Sequence, residues 1–276
     1  MNADKMIENY KTVMKKYLSD SLYQLLLDNI SKVKIKTDEK SNNDIVSAGG
    51  DYDPEGIITL YNNAEDITFY HELLHASSTY YNKEKQERFS GFNHQSIPNK
   101  LNIGLGFNEG YTQLLTERLF NDGNSSNSYE NEVFYVRLIE ELVGADKLSE
   151  LYFKSNLNAL ISELSKYNSQ ESIYQFMDNM DLFIILKQII NDKNNENESS
   201  IPTLESIQFS QEIDEKIMET YNNLNKFILE SFENKFINNT DYENQIERIR
   251  QRLTRPKSFL FRKYDMNDNY IQHHLY

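Results

Sequence analysis

Apolar residues recur every three or four positions along most of this chain, with one interruption. Within residues 3–30, Met6, Tyr10, Val13, Met14, Tyr17 and Leu18 share one helical face. A second short helix over Leu22–Ile30 follows Ser19-Asp20-Ser21, a capping sequence. The period then changes. Val33-Lys34-Ile35-Lys36 alternates, Ile45–Ala48 is a short apolar run, and Gly56–Tyr61 is rich in β-formers. Between the last two, Gly49-Gly50-Asp51-Tyr52-Asp53-Pro54-Glu55 carries turn chemistry. Residues 32–61 are therefore predicted to form a small sheet ending in a hairpin.

From Ala64 to about Tyr81 the helical period returns, with Phe69, Leu73, Ala76 and Tyr80 forming the core stripe. Residues 82–106 contain Gly91, Pro98, Gly104 and Gly106 and read as an irregular stretch with room for a hairpin. A helix is expected to start at Asn108, a good N-cap residue. Helices are then predicted over 128–143, 146–166, 170–192, 204–238 and 240–254. The Asn/Glu-rich run Asn191–Ser200, followed by Pro202, marks a loop at 191–203. The pattern predicts an α+β chain: a small, mostly antiparallel sheet within residues 1–120, then a mainly helical part over 121–276. The two parts read as catalytic and supporting halves, or as one continuous domain with a loop at 191–203.

Composition sharpens this picture in three places. Only 4 Pro and 9 Gly in 276 residues favour helix. A net charge of -14 argues against nucleic acid or an anionic membrane as the main partner. One basic run, Arg248, Arg250, Arg252, Arg255, Lys257, Arg262 and Lys263, reads as a solvated face pairing with the acidic body. The absence of Cys excludes disulfides, thiolate catalysis and Cys-ligated zinc. Met1–Leu18 has no apolar region of a signal peptide, and Leu182–Ile190 is too short to span a bilayer. A cytoplasmic location is the expectation, and export that reads no N-terminal signal is compatible with it.

The chemistry concentrates at His71-Glu72-Leu73-Leu74-His75. On a helix, His at i and i+4 stand one turn apart and direct two imidazoles at one point, which suits a zinc ion. The Glu after the first His stands beside that point and can take a proton from a coordinated water, whose pKa zinc lowers to roughly 7. The bland alternative is a buried polar pair on an ordinary helix. A third ligand is needed. The metzincin continuation requires Gly and His where this chain has Ser78 and Tyr81, so a carboxylate is expected instead. Glu109, 34 positions after His75, is the first candidate, with Glu87, Glu117 and His94 as rivals. His273 and His274 at the C-terminus read as bland.

His71, Glu72 and His75 followed by Asn108-Glu109 resemble the gluzincin metallopeptidases, where a downstream helix supplies a Glu ligand within Asn-Glu. The resemblance covers about residues 57–120. The gap between the motifs is longer than in thermolysin-like enzymes and closer to that of clostridial neurotoxin light chains. The position four after the ligand Glu, an Asp supporting a zinc imidazole in thermolysin-like enzymes, is Gln113 here, and its carbonyl oxygen can still accept from an imidazole.

The resemblance implies a zincin-like fold and a donor for the tetrahedral oxyanion, commonly Tyr, His or Arg. His94, in the loop between the two zinc helices, is one candidate for that donor, and an ordinary exposed loop His is the other reading of it. The resemblance also implies an edge strand before the motif helix that pairs with extended substrate. Gly56–Tyr61 is either that strand or an ordinary core strand. The expected protein is a zinc metallopeptidase that binds one Zn²⁺ through His71, His75 and Glu109. Glu72 is the general base and a peptide or protein the substrate. The alternative is a catalytically inactive zincin-like binding or regulatory protein with a structural metal.

Overall fold

Steps of four set the first two elements. Helix α1 (Ala3–Tyr17) buries Met6, Tyr10 and Met14, and α2 (Asp20–Ile30) buries Leu22, Leu26 and Ile30. The computed structural model describes residues 3–38, 49–53, 56–61, 64–96, 98–123, 129–196 and 204–254. The run Ile45–Ala48, the Pro54-Glu55 part of the predicted turn, the end of the basic run from Arg255, and His273 and His274 lie outside them.

The architecture is mixed α+β, with two small sheets rather than one. In the first, β1 (Lys34–Asp38), β2 (Gly50–Tyr52) and β3 (Ile57–Tyr61) run in the order β1-β3-β2. β2 and β3 are antiparallel, but β2 lies within Gly49–Glu55, the stretch expected to be the turn, and β1 is parallel to β3. The strand at Gly56–Tyr61 is therefore central, and its edges are both taken. The edge-strand reading of it is overturned, because β1 fills the side that a ligand would need. The far sides of β1 and β2 are the edges that no described strand pairs with.

The second sheet replaces the single hairpin expected in residues 82–106. It is an antiparallel meander of β4 (Thr79–Asn82), β5 (Glu87–Ser90), β6 (Asn93–Ser96) and β7 (Leu101–Ile103). Strands such as Asn93-His94-Gln95-Ser96 contain no aliphatic residue, so no alternation announces them.

Between the sheets runs α3 (Asp66–Ser77), which ends four residues before the expected Tyr81. Three consecutive hydroxyls explain the stop. Ser77 Oγ donates to Leu73 O, Ser78 Oγ to Leu74 O and Thr79 Oγ1 to His75 O, satisfying the last carbonyls of the helix. Tyr80 consequently lies on β4, 58% exposed, and leaves the core stripe to Phe69, Leu73 and Ala76.

Helix α4 (Leu105–Phe120) begins three residues before the expected cap at Asn108. The cap is supplied from another helix. Asp181, on α8 (Gln170–Glu196), accepts from Gly104 N at 2.9 Å and Gly106 N at 2.7 Å, and Gly104 takes φ 82° to turn the chain in. Burial raises the Asp181 carboxyl to about 6 against the pull of these two N–H groups.

The remaining elements are α5 (Glu130–Val143), α6 (Ala145–Phe153), α7 (Leu157–Leu164), α9 (Leu204–Phe236) and α10 (Tyr242–Leu253). The predicted helix 146–166 is broken because Ser155 takes φ 50° to hydrogen-bond Ser78 O, and Asn156 caps α7. α8 continues to Glu196, so the predicted loop is shorter at its start. On α10, Arg252 pairs with Glu141 at 2.7 Å and Arg250 with Glu233 at 3.5 Å, as a solvated basic face would. No helix among the described residues is long and apolar enough to cross a membrane.

One apolar cluster extends from Met6 to Leu253, and α4 packs against α3, α5 and α8 within it. Two glycines set how closely. A Cβ on Gly106 would stand 2.1 Å from Met180 O, and one on Gly110 would stand 2.7–2.8 Å from backbone and Cβ atoms of Glu132. Gly110 thus serves the approach to α5 rather than to the motif helix. Gly110→Ala is expected to destabilise the fold by about 1–3 kcal/mol, because the atoms it meets are mostly backbone. Urea denaturation checks this, and an unchanged midpoint would mean that α4 and α5 separate freely.

Candidate metal centre

Three donor atoms from two helices meet inside the molecule. His71 and His75 of α3 are each 7% exposed, and their Nε2 atoms lie 3.0 Å apart. Glu109 of α4 brings Oε2 to 3.2 Å from the first and 3.3 Å from the second. A tetrahedral ion with bonds of about 2 Å has donor–donor edges of about 3.3 Å. The triangle of 3.0, 3.2 and 3.3 Å therefore matches one face of such a tetrahedron. A hydrogen bond between two imidazoles explains the shortest side alone; it does not explain why one carboxylate oxygen stands equally near both rings. These residues can hold a metal ion, and no other group of three His, Cys, Asp or Glu donors with that closeness occurs among the described residues.

The charges around the triangle favour a cation. Burial would raise the Glu109 carboxyl, but the His75 and His71 imidazoles outweigh it and hold its pKa well below the usual carboxylate range. Glu72, next to His71 on α3 and 7% exposed, is pushed by burial up to about 7; His71 opposes this, and Glu109 and Asp51 add to it. A carboxyl tuned near neutrality suits a group that both takes and returns a proton.

Neighbouring side chains fix the rings. Asn108 Nδ2 lies 3.2 Å from His75 Nδ1, and Thr112 Oγ1 lies 3.5 Å from it. Thr112 donates to Asn108 O at 2.8 Å, which leaves lone pairs for Tyr152 Oη and for a proton on His75 Nδ1. Asn108 is itself held by Phe92 N, which donates to its Oδ1 at 3.0 Å. His71 stacks on Tyr129, with ring centroids 5.8 Å apart and planes within 10°. The charge of Glu109, then burial, raises the Tyr129 pKa well above the usual value.

No protein-family model, curated protein or solved structure matches this chain. The centre therefore has to be judged on its own geometry.

Of the four candidates for a third donor, Glu109 alone joins the two imidazoles. Glu87 and His94 face each other at 4.0 Å on the meander, where His94 also stacks on Phe89 at 4.2 Å. Burial lowers the His94 pKa, with Glu87 opposing. His94 is thus engaged with β5 and not with the donor triangle. Glu117 is buried with Arg137 at 3.4 Å. Gln113 donates to Glu117 Oε1 at 3.1 Å, while Asn108 and Thr112 are the α4 groups against His75.

Tyr129 was not foreseen. It is one of 19 Tyr residues, it follows no motif, and only the packing of α5 on α4 brings it to His71. Glu109→Ala is expected to weaken metal binding by more than about a hundredfold, and Thr112→Val by about tenfold to a hundredfold. Elemental analysis after dialysis and chelator competition check both. Unchanged metal content in Glu109→Ala would remove it from the ligand set.

Proposed function

We propose that this protein is a zinc-dependent metallopeptidase with a zincin-like catalytic centre. The observation that carries this reading is the triangle of His71, His75 and Glu109 with the Glu72 carboxyl beside it. Two imidazoles and one carboxylate are a hydrolytic zinc donor set, since three protein ligands leave the fourth position for water or substrate. Zinc held there supplies an acidified water and polarises the carbonyl under attack.

The chain's own residues do the rest. Glu72 removes the proton from the attacking water and returns it to the leaving amine nitrogen. Tyr129, whose ring stacks on His71 and whose hydroxyl feels the charge of Glu109, donates to the oxyanion as it develops. His71 is kept in plane by the same Tyr129 ring, and His75 by Thr112, whose Oγ1 can accept from its Nδ1–H. Gly110 lets α5 approach closely enough for Tyr129 to reach the centre.

A peptide as substrate is supported by the open edge of β2. Tyr61 N donates to Gly49 O and Asp53 N to Ile57 O, so these positions face β3. The intervening Gly50 and Tyr52 turn their N–H and C=O groups to the opposite, open edge. An extended backbone can add there as a further strand. The strand is close to the centre: a Cβ on Gly50 would meet Thr68 of α3 at 3.3 Å, and Asp51 acts on Glu72.

Zinc-loaded protein is expected to cleave members of a random peptide mixture, with cleavage abolished by a chelator and restored by zinc. Mass spectrometry of the products reads this out. No cleavage by protein with one bound zinc would favour the inactive binding or regulatory alternative. Glu72→Gln should retain zinc and lose about a hundredfold to ten-thousandfold in kcat. Tyr129→Phe should lose about a hundredfold to a thousandfold in kcat with little change in KM. Full turnover in either variant would remove the role given to that residue.

A further inference from the structure

A cation stands at the end of the open β2 edge with no ion pair to it among the described residues. Arg88, on β5, donates from Nη2 to Asp53 O at 3.1 Å, and its guanidinium lies 5.0 Å from the centre of the Tyr52 ring. Its Nε is buried and has no acceptor. Arg118, Arg137, Arg250 and Arg252 each lie within ion-pair distance of a glutamate, at 2.6, 3.4, 3.5 and 2.7 Å. No such pair forms at Arg88 among the described residues. The nearest acid to act on it is Asp53, and Asp53 Oδ1 accepts from Ile57 N at 2.9 Å. Burial lowers the Arg88 pKa, with Tyr52 and Asp53 opposing.

The side chain is directed toward the catalytic helix. Ser90, two residues on and therefore on the same face of β5, brings Oγ to 3.4 Å from His75 O. Tyr52 is on the same face of β2 as Gly50, the face that packs on Thr68 of α3. Arg88 and Tyr52 thus converge from two different sheets onto one flank of α3, beside the backbone groups of Gly50 and Tyr52 that face outward. Asp53 acts on this half-buried guanidinium without an ion pair forming among the described residues, and a partly buried cation gains from a closer counter-charge. A flat guanidinium held against a tyrosine ring is also a ready-oriented fork for a carboxylate.

We infer that Arg88, backed by Tyr52, is a subsite for a carboxylate of the ligand that lies along the β2 edge. The inference rests on the peptidase reading for what that ligand is, an extended peptide. The carboxylate belongs either to an Asp or Glu side chain or to the peptide's own C-terminus, and both present the same chemistry to the guanidinium.

The test separates binding from turnover. Zinc-loaded Glu72→Gln protein is immobilised and offered random decapeptides in two forms, with free and with amidated C-termini. Retained peptides are sequenced by mass spectrometry. Enrichment of Asp or Glu at one position in both forms identifies a side-chain carboxylate, and preference for free over amidated peptides identifies the terminal one. Adding Arg88→Gln should reduce that enrichment about tenfold or more. Arg88→Lys, which keeps the charge and loses the fork, should reduce it less. Circular dichroism and zinc content verify folding. If Arg88→Gln does not fold, Arg88→Lys decides on the affinity for paired peptides differing only by Glu or Gln. The expected result is a narrower Glu-over-Gln preference than in the Arg88 protein.

Absence of carboxylate enrichment, or enrichment undiminished in the Arg88 variants, overturns the inference. Carboxylate selection by a protein that cleaves no peptide sinks the peptidase reading and leaves Arg88 in place. Cleavage with no carboxylate preference does the reverse.

Discussion

The approach of α4 to α3 is the constraint on which the rest depends. Two imidazoles one turn apart on α3 define only a line, and Glu109 must come from outside to close the triangle. Its Oε2 reaches 3.2 and 3.3 Å from the two rings because α4 is clamped along its length. Asp181 holds its first turn, Gly106 lets the α8 backbone in, and Gly110 lets α5 in. Helix spacing is normally set by side-chain volume, and glycine removes that volume where it would push α4 away.

The meander acts on the same helix from the other side. Gly91, with φ 55°, has no room for a Cβ, since Asn108 Oδ1 and Tyr152 would lie 2.3 Å from it. That tight turn allows Phe92 N to reach Asn108, and Asn108 in turn meets His75. The second sheet therefore positions one buried amide against a candidate donor ring. Tyr10 and Asn29 anchor the far side of α3, bonding to Ser77 Oγ at 2.7 Å and to Ser77 O at 2.9 Å. Every element that touches α3 or α4 in these ways restricts motion of the donor atoms, which is the condition for a defined coordination geometry.

Electrostatically the centre is an acidic site that a cation completes. Glu109 and Asp51 both act on Glu72 there, and burial amplifies each interaction. Glu132, 0% exposed, would add to this, but Lys187 answers it at 2.6 Å and also lies over the Tyr129 ring at 5.4 Å. Compensation is thus local for Glu132. For Glu72 and Glu109 the opposing groups among the described residues are the imidazoles, and the depressed pKa of Glu109 records their effect.

The sequence by itself determined what repeats at short range. The i and i+4 spacing of His71 and His75, the adjacent Glu72, the helical period of α1 to α3 and the absence of Cys are local properties, and they sufficed to specify a helix with two imidazoles one turn apart and a carboxyl beside them. Glu109 was legible only as one of four candidates, because ligand identity depends on where a second helix lies. The tertiary structure decided the remainder. It moved the cap of α4 from Asn108 to Asp181, made Gly56–Tyr61 a central strand, built a sheet from polar segments without alternation, and brought Tyr129 to the centre and Arg88 to Tyr52. Each of these rests on groups far apart in the chain, such as the 77 positions between Gly104 and Asp181. No periodicity records such a pairing, because its energy arises only when packing removes both partners from water.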